Sequence, residues 1–377
     1  MIIFGIGGHI DDIGGVENSI RSMLQVCESD ECVILVSHAK AGSKTQFRAP
    51  DNLKFKSIEY SSRSWLPSPL NRIYQKLKRT EDNGIAICRH HKHVIAARKA
   101  GLKCVYLVPS LIANQVKVEL GGRLDIDKLQ LVIYGLLNHL SQKRALREAN
   151  MVAVFSKNMA AQVSELAGSD QIQDLIHCKP GIDPNRFMSA SSEQRVNLRR
   201  QLGLDEDAVQ LLMVCRLVSA KGIDLAIKAL ACLKKNVHLV LVGDGSEKAS
   251  FQDIVDQLGL PSRVHFAGSQ SQVELYYQCS DAFIMASRYE PLGQTILEAG
   301  ASGLPIVAFS SQSGVTTATD ELELGKFVFF AHKLTSESLA CAIEQAIEST
   351  LDRSHISQHF HEKFSWQTLL QTLRHAC

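Results

Sequence analysis

The stretch AFIMASRYEPLGQTILEAGASGLPIVAF, residues 282–309, predicts a strand, a loop, a helix and a second strand in succession. Its two ends, Ala282–Met285 and Ile306–Phe309, are unbroken apolar runs of strand length. Pro291 stands near the first helical position, and Gly303–Leu304–Pro305 is a typical helix end. Strands that are apolar on both faces belong to parallel sheets covered by helices on both sides. The stretch therefore predicts one repeat of a doubly wound α/β fold.

The same alternation of strand and helix patterns runs through both halves of the chain and stops once between them. Further apolar runs of strand length occur at Met1–Ile6, Cys32–Ser37, Ile85–Cys88, Cys104–Val108, Val152–Phe155, Gln210–Val214, Val237–Val242 and Val264–Ala267. The interruption is HCKPGIDPNRF, residues 177–187, whose two prolines and glycine are typical of a linker. Because 377 residues exceed what one core usually organises, we predict two Rossmann-like doubly wound domains, 1–180 and 181–355. A C-terminal helix within 356–377 is a candidate to cross back to the first domain.

Composition and charge exclude several classes of protein. With 45% hydrophobic and 21% charged residues the chain is globular, and a formal net charge of +2 does not favour a nucleic-acid binder. The charge is uneven, since residues 1–190 contain 25 Lys and Arg against 18 Asp and Glu, and the remainder 16 against 21. Ten scattered cysteines, no membrane-spanning apolar run and no leader pattern predict a cytoplasmic protein. A peripheral membrane contact stays open.

The loop and helix after the strand at 282–285 carry candidate chemistry. Unpaired N–H groups of Leu292, Gly293 and Gln294 at the helix start, in front of the positive end of the helix dipole, suit a phosphate. Glu290 stands at the same helix mouth, and Glu298 lies eight residues, or about two turns, further on. Carboxylates there accept hydrogen bonds from sugar hydroxyls. One capping and one solvated glutamate on an ordinary helix are the alternative interpretation.

Two cations follow another predicted strand. Arg216 and Lys221 come after the run that ends at Val214. A rigid guanidinium together with a mobile ammonium suits the neutralisation of a diphosphate, although two ordinary surface charges would look the same. Ligands of open α/β sheets bind at the carboxyl ends of the strands, so we expect these cations and the glutamate loop near one ligand.

Taken in order, these motifs resemble the GT4 family of retaining glycosyltransferases, which have the GT-B fold of two Rossmann-like domains facing across a cleft. The resemblance is dense over about 110 residues of the second domain and thinner in the first. In the second domain it rests on Cys215–Arg216, Lys221–Gly222, Val242–Gly243–Asp244–Gly245, Val264 to Gly268, and Glu290–Pro291 with Gly293 and Glu298. Elsewhere it rests on Gly14–Gly15–Val16–Glu17, Ser156, Gly181–Ile182–Asp183 and Phe364–Ser365–Trp366.

The resemblance implies a role for each site residue. Arg216 and Lys221 would contact the donor diphosphate. Glu290 would bind hydroxyls of the donor sugar and Glu298 the ribose of the nucleotide. The other implied donor contacts are the backbone groups around Leu292, Gly293, Gln294 and Thr295 at the distal phosphate, Gly14 and Gly15 at the same phosphate, Gly243, and Gly268 beside the base.

The resemblance also implies that neither a cofactor nor a metal is needed. The donor, a UDP-, GDP- or ADP-linked sugar, is a substrate, and Arg216, Lys221 and the helix dipole would neutralise the leaving diphosphate. The strings Asp125–Asp127 and Asp205–Asp207 lie away from predicted strand ends and are interpreted as solvated surface. No His/Cys cluster has the spacing of a zinc site.

The acceptor side of the first domain is marked less clearly. His91 follows the strand at Ile85–Cys88, and Ser110 stands after the next strand, where many family members carry a histidine. Both are candidates for sugar or acceptor contacts, and a surface histidine at a helix start is the alternative for His91. The basic segment Pro69–Arg79 has three alternative interpretations. It would lie on an anionic membrane, cover an acceptor, or bury its apolar residues in the core of the domain.

The residues together with the resemblance predict a glycosyltransferase that moves a sugar from a nucleotide-diphospho-sugar to a hydroxyl acceptor, and the resemblance implies that it is retaining and metal-independent. In retaining chemistry of this type the leaving phosphate accepts the acceptor proton, so no protein base is required. Two alternatives stay open: a non-catalytic nucleotide-sugar-binding subunit, and another GT-B enzyme such as a phosphorylase or an epimerase.

Overall fold

The computed structural model describes residues 1–12, 14–39, 46–61, 68–80, 84–111, 126–290 and 292–375. The chain divides into two compact units, Met1–Gly181 with Trp366–Cys377, and Ile182–Ser365. The division at 181/182 lies inside the stretch predicted as a linker. The segment 356–377 was expected to hold one helix, but it contains the end of one helix and the whole of a second, and only the second belongs to the first unit.

The first unit is built on a parallel sheet of seven described strands. These strands are β1 (Ile2–Gly5), β2 (Cys32–His38), β3 (Lys54–Tyr60), β4 (Ile85–Cys88), β5 (Lys103–Leu107), β6 (Met151–Val154) and β7 (Leu175–His177). They lie in the order β3-β2-β1-β4-β5-β6-β7. The described helices of this unit are α1 (Gly15–Gln25), α2 (Ser68–Thr80), α3 (His91–Lys99), α4 (Ile126–Glu148), α5 (Lys157–Ala167) and α13 (Trp366–His375), with a 3-10 turn at Ser169–Gln171.

The second unit has a parallel sheet of six described strands and a small two-stranded sheet. The strands are β8 (Val209–Val214), β9 (Val237–Val242), β10 (Val264–Gly268), β11 (Ala282–Met285), β12 (Tyr289–Glu290), β13 (Ile306–Phe309), β14 (Thr316–Thr317) and β15 (Val328–Ala331). The six-stranded order is β10-β9-β8-β11-β13-β15, and β12 pairs with β14.

The helices of the second unit alternate with these strands along the chain and cover the sheet. They are α6 (Ser192–Gln201), α7 (Ile223–Cys232), α8 (Lys248–Gln257), α9 (Val273–Cys279), α10 (Gln294–Ala301), α11 (Ser336–Glu348) and α12 (Arg353–Lys363). Short 3-10 turns occur at Ser219–Lys221, Ser311–Ser313, Asp320–Leu322 and Gly325–Phe327. Helix α7 packs through an apolar stripe, since Ile223, Ala226, Ile227 and Leu230 are buried in the core.

The strand order reverses direction at one place in each large sheet. In the first unit the reversal lies between β1 and β4, and in the second unit it lies between β8 and β11. The loops that leave two neighbouring strands in opposite directions open a crevice at this point, where ligands of doubly wound sheets bind. Ligand-binding side chains are therefore expected on the loops after β1, β4, β8 and β11.

Two helices of the first unit settle questions left by the sequence. The basic helix α2 buries Leu70, Tyr74 and Leu77 in the core of this unit, so its apolar face is a packing face. The C-terminal helix α13 lies along α1, and its Arg374 pairs with Glu28 at 2.9 Å and with Glu31. Among the helices in the described part of the chain, none is both long and apolar enough to cross a membrane.

Candidate functional site

The loop that carries Arg216 rests on the Gly-x-Gly turn that follows β9. A Cβ atom at Gly243 would lie 1.9 Å from the carbonyl oxygen of Cys215, and one at Gly245 would lie 2.4 Å from that of Leu217. Side chains are thus sterically excluded at both glycines, which lets the two backbones meet. The Arg216 side chain is exposed, and no described residue hydrogen-bonds to or pairs with its guanidinium. It is a cation held at a strand end, and the described part of the chain offers it no partner.

Lys221 ends a 3-10 turn that is fixed by Gly222. This glycine has a φ of +66°, and a Cβ atom on it would lie 2.0 Å from the carbonyl oxygen of Ala286. Ala286 directly follows β11, so the close approach brings the loop after β8 against the loop after β11. These are the two loops that leave the reversal point of the second sheet.

An arginine that the sequence analysis missed joins the same two loops. Arg288 donates to both carboxylate oxygens of Asp224 at 3.0–3.1 Å, and its backbone N–H donates to the carbonyl of Ala220 at 2.9 Å. Such a bidentate pair specifies orientation as well as proximity. The sequence signals were faint: Arg288 stands two positions before Glu290, and Asp224 lies in the first turn of α7. We assign both residues to positioning the loops.

The loops bring Lys221 and Glu290 into direct contact. The Lys221 Nζ donates to the Glu290 carboxylate at 2.5 Å, and both side chains are about four-fifths buried. Glu290 ends β12, whose pairing with β14 fixes its backbone, and its carbonyl accepts from the N–H of Ala318 at 3.1 Å. The prediction that these two residues lie near one ligand site therefore has a geometric basis. A phosphate would compete for the ammonium, and a sugar hydroxyl could donate to the carboxylate.

The start of α10 carries the amides expected to bind an anion. The helix begins at Gln294 after Gly293, and the N–H of Ile296 bonds to the Gly293 carbonyl at 2.8 Å. No described residue accepts a hydrogen bond from the amides of Leu292, Gly293 or Thr295. A helix N-terminus with unsatisfied amides attracts negative charge.

Glu298 is buried, which corrects the alternative of a solvated glutamate. It lies four residues after the first residue of α10, not two turns inside the helix, because the helix begins later than expected. The Tyr277 hydroxyl donates to its Oε2 at 2.8 Å. Burial raises the pKa of the Glu298 carboxyl to about 7, while the Tyr277 hydrogen bond opposes the rise. Tyr277 is a second residue that sequence reasoning missed, since nothing in its local pattern distinguishes it from an ordinary core tyrosine.

We expect Glu298→Gln to remove a pH dependence of stability. The carboxyl holds its proton more tightly in the folded than in the unfolded chain, so burial of its charge destabilises the folded state increasingly as pH rises from about 4.5 to about 7. The variant should gain stability relative to the parent over this window, by on the order of 3 kcal/mol at most. Urea unfolding at about pH 5 and about pH 7.5 measures it, with the exposed Glu348→Gln as control. A constant difference at both pH values would contradict the assignment.

Gly268, another glycine of the predicted donor site, lies beside Gly243. Gly268 ends β10, and its carbonyl accepts from the N–H of Gly243 at 2.8 Å. A Cβ atom on Gly268 would meet no described atom within 4 Å, so this surface is open to a ligand. Its place beside a base stays a prediction.

In the first unit, Glu17, the last residue of the motif Gly14–Gly15–Val16–Glu17, places its carboxyl group next to Gly14. Gly14 precedes α1, and a Cβ atom on it would lie 2.4 Å from Oε2 of Glu17, while Gly15 has no described atom within 4 Å of its Cβ position. A Cβ on Gly8 would likewise lie 2.5 Å from Oε1 of Glu17. Gly8 and Gly14 therefore make room for the Glu17 carboxyl, and burial raises its pKa. The contact of Gly14 and Gly15 with a phosphate stays a prediction.

His91 is buried, so the alternative of a surface histidine is wrong. It begins α3 after β4, stacks on His90 at 4.2 Å, and is hydrogen-bonded to Asn138 of α4. Its Nε2 is buried and has no described partner. Burial lowers the pKa of His91 to about 4, so the ring is neutral at physiological pH. Ser110 lies after β5, and its carbonyl accepts from Gln142 at 2.9 Å.

The carboxylates suggested as surface features have structural roles where they are described. Asp205 accepts hydrogen bonds from the N–H groups of Asp207 and Ala208 at 3.0 and 3.2 Å, which closes a turn. Asp125 lies outside the described residues. Among the residues that the structure describes, no group of three or more His, Cys, Asp or Glu side chains could hold a metal ion.

Comparison with known structures identifies the class of the fold. The chain superposes over 99% of its length on HepE of Anabaena in complex with UDP and glucose, with a TM-score of 0.74 and 19% identity, and covers 98% of that chain. Sucrose-phosphate synthase of Thermosynechococcus elongatus gives a TM-score of 0.75 at 17% identity, with 100% of this chain and 99% of that chain covered. The predicted fold of two Rossmann-like units, that of GT-B glycosyltransferases, is confirmed.

Sequence comparison then gives a family match in the second unit. Residues 194–362 match the family described as "Glycosyl transferases group 1". An uncharacterized glycosyltransferase of Methanocaldococcus jannaschii is 27% identical over 242 residues, 61% of this chain and 60% of its own. The lipopolysaccharide core biosynthesis glycosyltransferase LpsE of Rhizobium meliloti is 34% identical over 164 residues, 44% of this chain and 47% of its own. The chain thus spans about half to three-fifths of the length of these relatives, and the family match lies within its second unit.

Proposed function

We propose that the protein is a retaining glycosyltransferase of the GT4 type that uses a nucleotide-diphospho-sugar and needs no metal. The observation that carries the proposal is the contact between Lys221 and Glu290 at the reversal point of the second sheet. Near this pair in the chain stand Arg216 and the amides at the start of α10, for which no partner occurs among the described residues. Cations and amide dipoles for a diphosphate are thus combined with a carboxylate for sugar hydroxyls.

The chemistry follows from the charges that develop during transfer. The bond between the anomeric carbon and the diphosphate oxygen breaks, so the diphosphate gains negative charge and the sugar gains positive character. Arg216, Lys221 and the amides of Leu292 to Thr295 would stabilise the leaving diphosphate. The acceptor hydroxyl oxygen forms the new bond on the same face, and its proton goes to the leaving phosphate oxygen. Fixed protein cations supply the neutralisation that a metal ion otherwise provides.

Glu290 and Glu298 would act on opposite ends of the donor. Glu290 would orient the sugar through its hydroxyls, and Glu298, held by Tyr277, would accept hydrogen bonds from the ribose. HepE is a protein in complex with UDP-glucose, so UDP-sugars are the first donors to test. A cytoplasmic location is also part of the proposal, supported by the nine described cysteines, which are all free thiols.

We expect Lys221→Met to weaken binding of nucleoside diphosphates and to leave nucleoside binding unchanged. A charge-assisted hydrogen bond contributes about 1.5–3 kcal/mol, so the Kd for the diphosphate should rise roughly tenfold to 100-fold. Calorimetric titration with UDP, GDP and ADP and with the corresponding nucleosides measures both effects. Lys235→Met, at an exposed lysine of the same unit, is the matched control. Equal losses for diphosphate and nucleoside would count against a phosphate role.

A further inference from the structure

The first unit contains a buried cation that pairs with no carboxylate among the residues that the structure describes. Arg89 follows β4 at the reversal point of the first sheet and is only 5% exposed. Its backbone is fixed by a hydrogen bond from its N–H to the Gly5 carbonyl at 2.8 Å. Its Nε and Nη1 are both buried, and no described residue accepts a hydrogen bond from either. A guanidinium in this state has lost water without gaining a partner, which is unfavourable.

No described residue forms an ion pair with this guanidinium. The side chain lies over the ring of Phe155, 5.5 Å from its centroid. Tyr106 and Cys178 are also nearby, and burial raises the pKa of both, so they are neutral at physiological pH. Glu17 acts on Arg89 only at a distance, since the two form no ion pair within 4.0 Å, and burial also raises the pKa of Glu17. Burial lowers the pKa of Arg89 to about 10, so it stays charged at neutral pH.

A second unsatisfied group stands two positions further along the chain. His91 is 1% exposed, and its Nε2 has no described partner, while Asn138 and the stacked ring of His90 hold the imidazole in place. A neutral imidazole nitrogen forms a hydrogen bond with a hydroxyl group. The end of β4 therefore presents an unpaired cation and an unpaired imidazole nitrogen, both buried.

We propose that Arg89 binds a negatively charged group of the acceptor, a phosphate or a carboxylate, and that His91 hydrogen-bonds to a hydroxyl of the same molecule. This inference rests on the proposed function, because an acceptor exists only if the protein transfers a sugar. A planar guanidinium binds either anion through two parallel hydrogen bonds, one of which would come from a nitrogen that now has no described partner. The donor diphosphate has its own cations, Arg216 and Lys221, in the second unit. The acceptor class is thus an anionic sugar or sugar derivative rather than a neutral one.

Calorimetric titration of the full chain with four probes tests the proposal. The probes are glucose 6-phosphate, glucuronate, glucose and inorganic phosphate. We expect at least one anionic sugar to bind about tenfold or more tightly than glucose, and more tightly than inorganic phosphate. Tighter binding of glucose 6-phosphate than of glucuronate would identify the anion as a phosphate, and the reverse as a carboxylate. Equal binding of the anionic sugars and glucose, or of the anionic sugars and inorganic phosphate, would overturn the proposal.

Two variants assign the binding to Arg89. Arg89→Met should reduce binding of the anionic sugar about tenfold or more, and Arg89→Lys, which keeps a charge but loses the planar fork, should reduce it less. Arg72→Met, at an exposed arginine of α2, is the control and should bind as the parent does. Arg89→Met should also melt at a higher temperature than the parent without ligand, because it removes an unpaired buried charge. Unchanged anion binding together with a lower melting temperature would show that Arg89 is structural and would contradict the proposal.

The donor titration separates this proposal from the proposed function. Arg89→Met should bind UDP as the parent does, and a loss of UDP affinity would show that Arg89 serves the donor instead. If the parent binds no nucleoside diphosphate, the proposed function fails, whatever the anion probes show. If it binds the nucleotide but no anionic sugar preferentially, only the inference about Arg89 fails.

Discussion

Replacing Glu290 by glutamine is expected to lower kcat for sugar transfer by roughly 100-fold or more while leaving the fold intact. The carboxylate contacts Lys221 and stands where sugar hydroxyls would bind, so its charge should matter most when the anomeric carbon becomes positive. Glutamine keeps the shape but loses the charge. Release of nucleoside diphosphate from a donor sugar, followed with the parent and the variant under saturating donor, measures the loss.

The matched control for this prediction is Glu193→Gln. Glu193 is an exposed glutamate in the first turn of α6 in the same unit, and no described residue forms an ion pair with it. The control should retain the parent's kcat and melting temperature. Turnover of Glu290→Gln close to that of the parent would remove Glu290 from the catalytic site.

Replacing Gly222 by alanine is expected to destabilise the second unit by ~3 kcal/mol or more. A non-glycine residue at a φ of +66° costs about 1–2 kcal/mol, and the added Cβ would lie 2.0 Å from the carbonyl oxygen of Ala286. Backbone must therefore move where the loop that carries Lys221 packs against the loop after β11. Chemical unfolding measures the stability loss, and UDP titration should show weaker binding as the two loops separate.

Gly259→Ala separates the two causes of that effect. Gly259 has nearly the same φ, +67°, but a Cβ atom on it would meet no described atom within 4 Å. It should therefore show only the backbone cost, about 1–2 kcal/mol, and no loss of nucleotide binding. Equal destabilisation by the two alanines would show that the close approach to Ala286 is unimportant.

Much of the fold was predictable because its signals are local. The unbroken apolar runs at β1, β2, β4, β8, β9, β11 and β13 were predicted within two residues of their observed bounds. The strand β3 was missed, since KFKSIEY alternates charged and apolar residues along the edge of the sheet, where one face is exposed to water. The strand β15 was missed for another reason, because Val328–Ala331 is short and follows a run of turns.

One contact of the candidate site was predictable for a related reason. The carboxyl ends of parallel strands lie on the same edge of a sheet, so the loops that carry Lys221 and Glu290 were expected to approach one another, and these two side chains are in contact. The burial of Glu298 and its hydrogen bond to Tyr277 could not be predicted from the sequence. The bidentate pair between Arg288 and Asp224 could not be predicted either, because the partners lie 64 positions apart.

The order of strands and helices, the glycines at tight turns and the charge types at strand ends follow from residues close together in the chain. Such features depend on hydrophobic periodicity and backbone sterics, which act over a few residues. Packing between distant segments decides which cation contacts which carboxylate. It also decides which polar group is buried without a partner. The Lys221–Glu290 contact spans 69 positions, and the isolation of Arg89 arises from strands and helices drawn from the whole first unit. Only folding removes these charged and polar side chains from water together. That desolvation changes their pKa values and leaves some of them without hydrogen-bond partners.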